Sequence, residues 1–237
     1  MKPPIATPSS PSTEKKPGIN VVIVEDQQLL ADFFGAHCED LGLKVRCRCG
    51  TCREGLAAIR EHRPDLVLLD LSLPDGDGLE LVRLLKTELK SAAPKILAIS
   101  CHRDPWTMLQ VQRLGLNGFV DKNEQCAEVL TNAIRTVLAG GAFYTPIVQK
   151  LSAAIRHDSK AFIRVLSEYE IQILSLIGGS MSDDEIGVVM GVRPTTIQAR
   201  RRDIMIKLGI YAVPKLIRYA IANGLTRVDH LGFQKTM

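Results

Sequence analysis

An unbroken apolar run, Leu66-Val67-Leu68-Leu69, ends on a single acid, Asp70, and breaks at once into a loop carrying Pro74, Gly76 and Gly78. No polar residue alternates along the run. It therefore reads as a central strand of a parallel sheet, covered by helices on both faces. Asp70 then stands at the carboxyl end of that strand, where open α/β sheets place their ligands. Taken alone, an acid in this position serves equally well to start a turn. The choice between the two readings rests on whether other strands deliver charged groups to the same edge.

They do. Strand-length apolar runs near Ile19 to Val24, Lys44 to Cys49, Lys95 to Ser100 and Gly118 to Val120 alternate with helical patterns near 27–41, 53–62, 78–89, 105–114 and 124–138. The last of these patterns meets a C-cap signal at Gly140-Gly141. Five such units predict an α/β fold, a doubly wound five-stranded parallel sheet with helices on both faces. The strand ends bring Glu25 and Asp26, Asp70, Ser100 and Lys122 toward one crevice. Three carboxylates that close repel one another and suit a hard divalent cation such as Mg²⁺. Lys122 has the charge to pair with Asp70, and Ser100 offers a hydroxyl to an incoming oxyanion. Together these are the parts needed for attack of a carboxylate on phosphorus. Each has a plainer alternative when read singly: Glu25 or Asp26 as a helix N-terminal acid, Lys122 as a solvated charge.

The 237 residues suffice for two domains, each with its own core. Residues 1–17, rich in Pro, Ser, Thr and Lys, read as a disordered tail. The α/β pattern occupies 18–145, a charged connector 146–162, and a purely helical pattern 163–237. Residues 18–145 hold 14 Lys and Arg against 17 Asp and Glu, whereas 163–237 hold 10 against 7, so the halves suit different partners. No apolar run approaches the ~18 residues that span a bilayer, and no signal-peptide core opens the chain. A cytoplasmic protein with no membrane contact and six reduced cysteines is expected. Cys47-Arg-Cys49-Gly-Thr-Cys52, with His37 and Cys38 nearby in sequence, lacks the spacing of paired zinc knuckles and reads as buried or edge thiols.

In the helical half, Ser167-Glu-Tyr-Glu170 and Ser182-Asp-Asp-Glu185 are capping boxes that mark two helix starts. Pro194 suits the first turn of a third helix, closed by Gly209, and Val213 to Ala222 forms a fourth. That third helix is expected to expose Thr196, Gln198, Ala199, Arg200, Arg201 and Arg202, offering donors to phosphates and guanine edges. Ile197, Ile204 and Leu208 have the spacing of its buried face. A solvated helix face is the plain reading of the three arginines.

Residues 18–145 resemble a two-component response-regulator receiver domain, on Glu25-Asp26, Asp70, Pro74, Gly78, Ser100, Phe119 and Lys122 in order. The resemblance implies that Asp70 is the phosphoacceptor. Glu25, Asp26, Asp70 and the backbone carbonyl of Ser72 would hold Mg²⁺. Ser100 and Lys122 would be the hydroxyl and lysine of the site, Phe119 the aromatic switch, and the strand order 2-1-3-4-5. Phe119 read by itself is equally a core residue. About 163–225 resembles the LuxR/NarL (FixJ) helix-turn-helix, which implies that the helix from Pro194 enters the major groove and the last helix supports dimer contacts. Three departures stand out: Ser180 where the family carries glycine, Arg193 at the recognition-helix cap, and Thr196-Ile-Gln-Ala-Arg200 for Thr-Val-Lys-x-His. The cap change alone costs ~1 kcal/mol.

The implied protein is a transcription factor and not an enzyme. A sensor histidine kinase would phosphorylate Asp70, and the phosphorylated homodimer would bind double-stranded DNA at paired half-sites. One alternative is a helical half that binds protein in place of DNA. A weaker one is an aspartate-nucleophile phosphohydrolase, since Ser72 stands where that chemistry wants a second acid. Ser72 and His102, two positions beyond Asp70 and Ser100, are expected to flank the path of attacking water and set the phosphoryl lifetime; an exposed loop role is the alternative for His102.

Overall fold

The computed structural model describes residues 18–124, 126–157, 161–228 and 234–235; the tail expected over 1–17 and connector residues 158–160 lie outside the described residues. The first half alternates β1 (Asn20–Val24), α1 (Gln28–Asp40), β2 (Lys44–Cys49), α2 (Cys52–His62) and β3 (Leu66–Leu69). A two-residue hairpin, β4 (Ser72–Leu73) with β5 (Gly76–Asp77), leads into α3 (Gly78–Leu89). Then come β6 (Lys95–Ser100), α4 (Pro105–Arg113), β7 (Gly118–Asp121), α5 (Ala127–Leu138) and β8 (Phe143–Tyr144). The parallel sheet runs β2-β1-β3-β6-β7-β8. Its first five strands follow the expected order. The sixth corrects the five-strand expectation: Phe143-Tyr144 is too short to show a period in sequence, and its pairing to Gly118-Phe119 makes it a strand.

All four residues of β3 are buried, and they alternate between two cores. Leu66 and Leu68 join Val21, Ile23, Phe34, Leu97 and Ile134 under α1 and α5. Val67 and Leu69 join Val22, Val24, Ile59, Val82 and Met108 under α2, α3 and α4. This two-sided burial is why the strand carries no polar alternation. The edge strand β2 holds a bulge at Arg46, where pairing steps from Val21↔Val45 to Val22↔Cys47. The extra residue turns Val45 to the α1 side and both Cys47 and Cys49 to the α2 side.

Helix α5 closes as the paired glycines predict: the Gly140 N–H donates to Val137 O and the Gly141 N–H to Thr136 O, with Gly140 at φ 89°. The connector is more ordered than a charged linker suggests. Residues 146–157 form α6 (Pro146–His157), and Val148 is buried in the core of the α/β unit.

The second half contains α7 (Phe162–Val165), α8 (Glu168–Gly178), α9 (Asp183–Met190), α10 (Pro194–Leu208) and α11 (Val213–Ala222). Both capping boxes form, with Ser167 and Ser182 each exchanging hydrogen bonds with the Glu three residues on. Ile173, Leu174, Ile186, Ile197, Ile204 and Leu216 make its core. Phe162, the residue before the expected start at 163, is buried there too. Arg193 makes no side-chain cap bond at the head of α10, as its chemistry dictates.

Candidate functional site

The carboxyl ends of β1, β3, β6 and β7 meet in one pocket. Asp70 is fixed through its own backbone: its N–H donates to Val24 O at 2.8 Å, and its Oδ1 accepts from the Ser72 N–H at 3.0 Å. Gly78, at the head of α3, lies so close that a Cβ would sit 2.6 Å from the Asp70 carbonyl oxygen. Only glycine lets that helix start against the acid. Lys122, from just beyond β7, places Nζ 2.8 Å from Asp70 Oδ2, 2.9 Å from Glu25 Oε1 and 2.7 Å from Oε2. The three side chains are only 7%, 4% and 1% exposed (Lys122, Asp70, Glu25), so water screens this triad little.

Burial pushes the Glu25 carboxyl above its ordinary value of 4.5, partly opposed by the hydrogen bond from Lys122 and reinforced by the charge of Asp70. For Lys122, burial works against the charge, yet the hydrogen bonds to Asp70 and Glu25 and their negative charge hold its pKa above the ordinary one. Two buried acids therefore share one cation. Asp26 is exposed at the mouth, and ligand oxygens of Glu25, Asp26 and Asp70 all lie within 4.8 Å of one another. An all-carboxylate set with more negative charge than Lys122 offsets fits a hard divalent cation. Glu25 Oε2 also receives no properly angled hydrogen bond, which leaves it acceptor capacity.

Ser100 is fully buried at the end of β6; its Oγ accepts from the His102 N–H at 3.4 Å, and its carbonyl accepts from the Lys122 N–H at 3.1 Å. Ser72 is exposed, and its Oγ lies 2.5 Å from His102 Nε2, so the two residues expected to flank the water path touch. Phe119 is fully buried in the core beneath α2, α3 and α4.

Two further acids near the pocket have partners that the sequence reading did not name. Asp121 is completely buried yet ionically paired with Arg103, whose Nη2 lies 3.2 Å from Oδ1; the Asn123 N–H donates to the same oxygen at 2.8 Å. Asp75 accepts from the Cys52 and Arg53 N–H groups at the head of α2, at 2.7 and 3.0 Å. Burial opposes its charge, but these amide bonds hold its carboxyl below the ordinary value. An acid in a Pro-Asp-Gly loop signals only a turn, because its partners lie more than twenty positions away.

On α10, Thr196, Ala199, Arg200 and Arg202 are exposed and Gln198 is half-buried. Ile197 and Ile204 are buried as expected, whereas Leu208 is only partly so. Arg201 is not a free donor: its Nε and Nη2 donate to Asp183 at 3.1 and 2.6 Å, tying α10 to α9. Asp203 shares the outward face, with its carboxylate 3.7 Å from Arg200.

A doubly wound sheet with an acid pocket and one buried lysine at its carboxyl edge, followed by a helical unit with a helix-turn-helix arrangement, defines a receiver joined to an output domain. The family model for the response regulator receiver domain matches residues 21–135. The oxygen regulatory protein NreC of Staphylococcus aureus is 30% identical over 218 residues, covering 87% of this chain and 99% of its own length. The response regulator UvrY of Escherichia coli is 29% identical over 220 residues, covering 91% and 100%. Among solved structures, RcsB from Salmonella enterica serovar Typhimurium bound to a promoter with a beryllofluoride phosphomimetic shares the fold, with TM-score 0.60 at 21% identity, over 88% of this chain and all of that one. A LuxR-family response regulator from Aurantimonas sp. superposes with TM-score 0.55 at 25% identity, over 60% of this chain and all of its own. The chain belongs to the response-regulator family. No described helix is long and apolar enough to cross a membrane.

Proposed function

We propose that this chain is a phosphorylation-controlled transcription regulator in which Asp70 accepts a phosphoryl group and the helical unit reads DNA. The observation that carries the proposal is the buried triad: Lys122 held between Asp70 and Glu25 at the sheet edge, with Asp26 at the mouth. An Asp70 oxygen attacks phosphorus while the bond to the donor, a phosphohistidine of a sensor kinase, breaks and the imidazole departs. Lys122 and the Ser100 hydroxyl supply donors to the oxygens of the transferring group. Glu25, Asp26 and Asp70, with the Ser72 carbonyl, would hold Mg²⁺, which offsets the negative charge gathered there. Backbone bonds from Asp70 to Val24 and Ser72 keep the nucleophile from swinging away. The role is regulatory and not one of turnover, with the homodimer as the DNA-binding form.

The test has two readouts. Acetyl phosphate with Mg²⁺ labels wild type and leaves Asp70→Asn unlabelled; equal labelling of both would remove the assignment. Selection of duplex DNA, at fixed salt because phosphate contacts make affinity salt-dependent, enriches a sequence more strongly with beryllofluoride than without. A second reading, an output domain that binds protein, is favoured by one observation: Arg200 and Arg201 already pair with Asp203 and Asp183. Failure of DNA selection in both conditions, with Asp70 labelling intact, selects that reading.

A further inference from the structure

The cysteine cluster noted in the sequence is not absorbed by the phosphoacceptor pocket. Cys47 and Cys49 lie two positions apart on the edge strand β2 and so share one face, which the bulge at Arg46 turns toward α2 and away from Val45. Their Sγ atoms are 3.4 Å apart, in direct contact. Cys47 is half-buried and Cys49 buried, so one thiol meets solvent and the other stands behind it. We propose that Cys47 and Cys49 form a reversible disulfide by exchange with a low-molecular-weight disulfide such as oxidised glutathione.

The chemistry balances without any further reagent. The Cys47 thiolate attacks one sulfur of the small disulfide; a Cys47 mixed disulfide forms and one small thiolate leaves. Cys49 then attacks Cys47 Sγ, releasing the second small thiol, which takes up the proton that Cys49 gives up. Two protein thiols are oxidised, and one disulfide is reduced to two thiols. Burial and contact with Cys47 push the Cys49 thiol up to about 12, which leaves the more exposed Cys47 to make the first attack. Two positions along a strand span about 6.6 Å, near the upper limit of ~6.8 Å that a disulfide bridges between Cα atoms. The bond is therefore strained, and strained disulfides are the easily reduced, reversible ones. Its place matters because the Cys49 carbonyl accepts the Glu25 N–H at 2.8 Å, one hydrogen bond from the acidic pocket.

The full-length protein is titrated with oxidised glutathione, digested with trypsin without reduction, and its peptides located by mass and fragmentation. Cleavage after Arg46, Arg48 and Arg53 separates Cys47 from Cys49. The expected product joins residues 47–48 to 49–53 through Cys47 and Cys49, and reduced glutathione reverses it. In Cys47→Ser, whose side chain is nearly isosteric and half-buried, Cys49 oxidation slows at least about tenfold, because the intramolecular second step is lost. Three results overturn the proposal: a bridge through Cys52, a lasting glutathione adduct on Cys47 with Cys49 still a thiol, or no reaction at either while exposed Cys101 and Cys126 are modified.

Discussion

Lys122 is the residue on which the pocket balances. It satisfies two acids that burial would otherwise leave uncompensated. Breaking a buried pair by removing one partner costs about 3–5 kcal/mol, and Lys122→Met should lose that order of stability at pH 7 by urea unfolding. The loss has a defined pH dependence. Glu25 already titrates above its ordinary 4.5, and without Lys122 it moves further up. A carboxyl with a raised folded pKa favours the fold below its unfolded value and opposes it as pH rises through the folded one. The deficit of Lys122→Met should therefore shrink as pH falls from 7 toward 4.5, and a deficit constant across that window would deny the charge account. Beside the triad, the Ser72 side chain touches His102, and the pair is expected to flank the approach of water to Asp70. In His102→Ala, water reaches the phosphoryl group more freely. Its dephosphorylation is expected to run several-fold faster, followed by loss of label from Asp70, and an unchanged rate would leave His102 only a loop residue.

At the scale of elements, the turn between α8 and α9 carries backbone strain. Ser180 sits at φ 59°, in the left-handed region where the family pattern has glycine. A Cβ there costs about 1–2 kcal/mol, and glycine returns part of that through its freer unfolded chain. Ser180→Gly should raise the stability of the helical unit by up to ~1 kcal/mol, read as a higher urea midpoint at unchanged slope. A lower midpoint would mean that the exposed Ser180 side chain makes a compensating bond. The capping boxes on either side work in the opposite sense. Ser167 and Glu170 satisfy each other, and Lys207 from α10 adds 2.7 and 2.8 Å bonds to Glu170. Although burial opposes its charge, these bonds hold the Glu170 carboxyl below its ordinary value.

Across the whole molecule, the loop 101–104 touches both the acidic pocket's surroundings and the helical unit. His102 meets Ser72 beside Asp70, Arg103 pairs with buried Asp121, and Asp104 caps α4 while lying against Gly224 of the helical unit. Two residues on, Trp106, the sole tryptophan, donates its backbone N–H to Asn223 O at 3.0 Å, and its ring packs 6.2 Å from the Phe162 ring. Arg113 and Glu168 pair across the same seam, but both are largely exposed and add little. A Cβ on Gly224 would overlap the Asp104 carboxylate, and at φ 74° the position is already costly for any other residue. Gly224→Ala should part the two units. The sign would be red-shifted Trp106 emission and stronger quenching by acrylamide; emission identical to wild type would show that the seam yields without opening.

Residues close in sequence wrote much of this structure in advance. The four buried residues of β3, Asp70 at its end, the two Ser-to-Glu capping boxes and the Gly140-Gly141 stop all follow from local sterics, hydrogen bonding and hydrophobic period. The acidic pocket was legible for a related reason: in a parallel sheet every strand end points to one edge, so strand order in sequence already gathers Glu25, Asp26, Asp70, Ser100 and Lys122. What only the tertiary structure decided depends on partners far along the chain. Alternation alone would leave Val45, Cys47 and Cys49 on one face; the bulge splits them because β1 pairs out of step at Arg46. The ion pairs of Arg201 with Asp183, at 2.6 Å, and of buried Asp121 with Arg103 join residues from different elements that no local pattern pairs. Phe143-Tyr144 becomes a strand only because β7 offers it a free edge. Local propensity has no term for such long-range pairing, and folding supplies it.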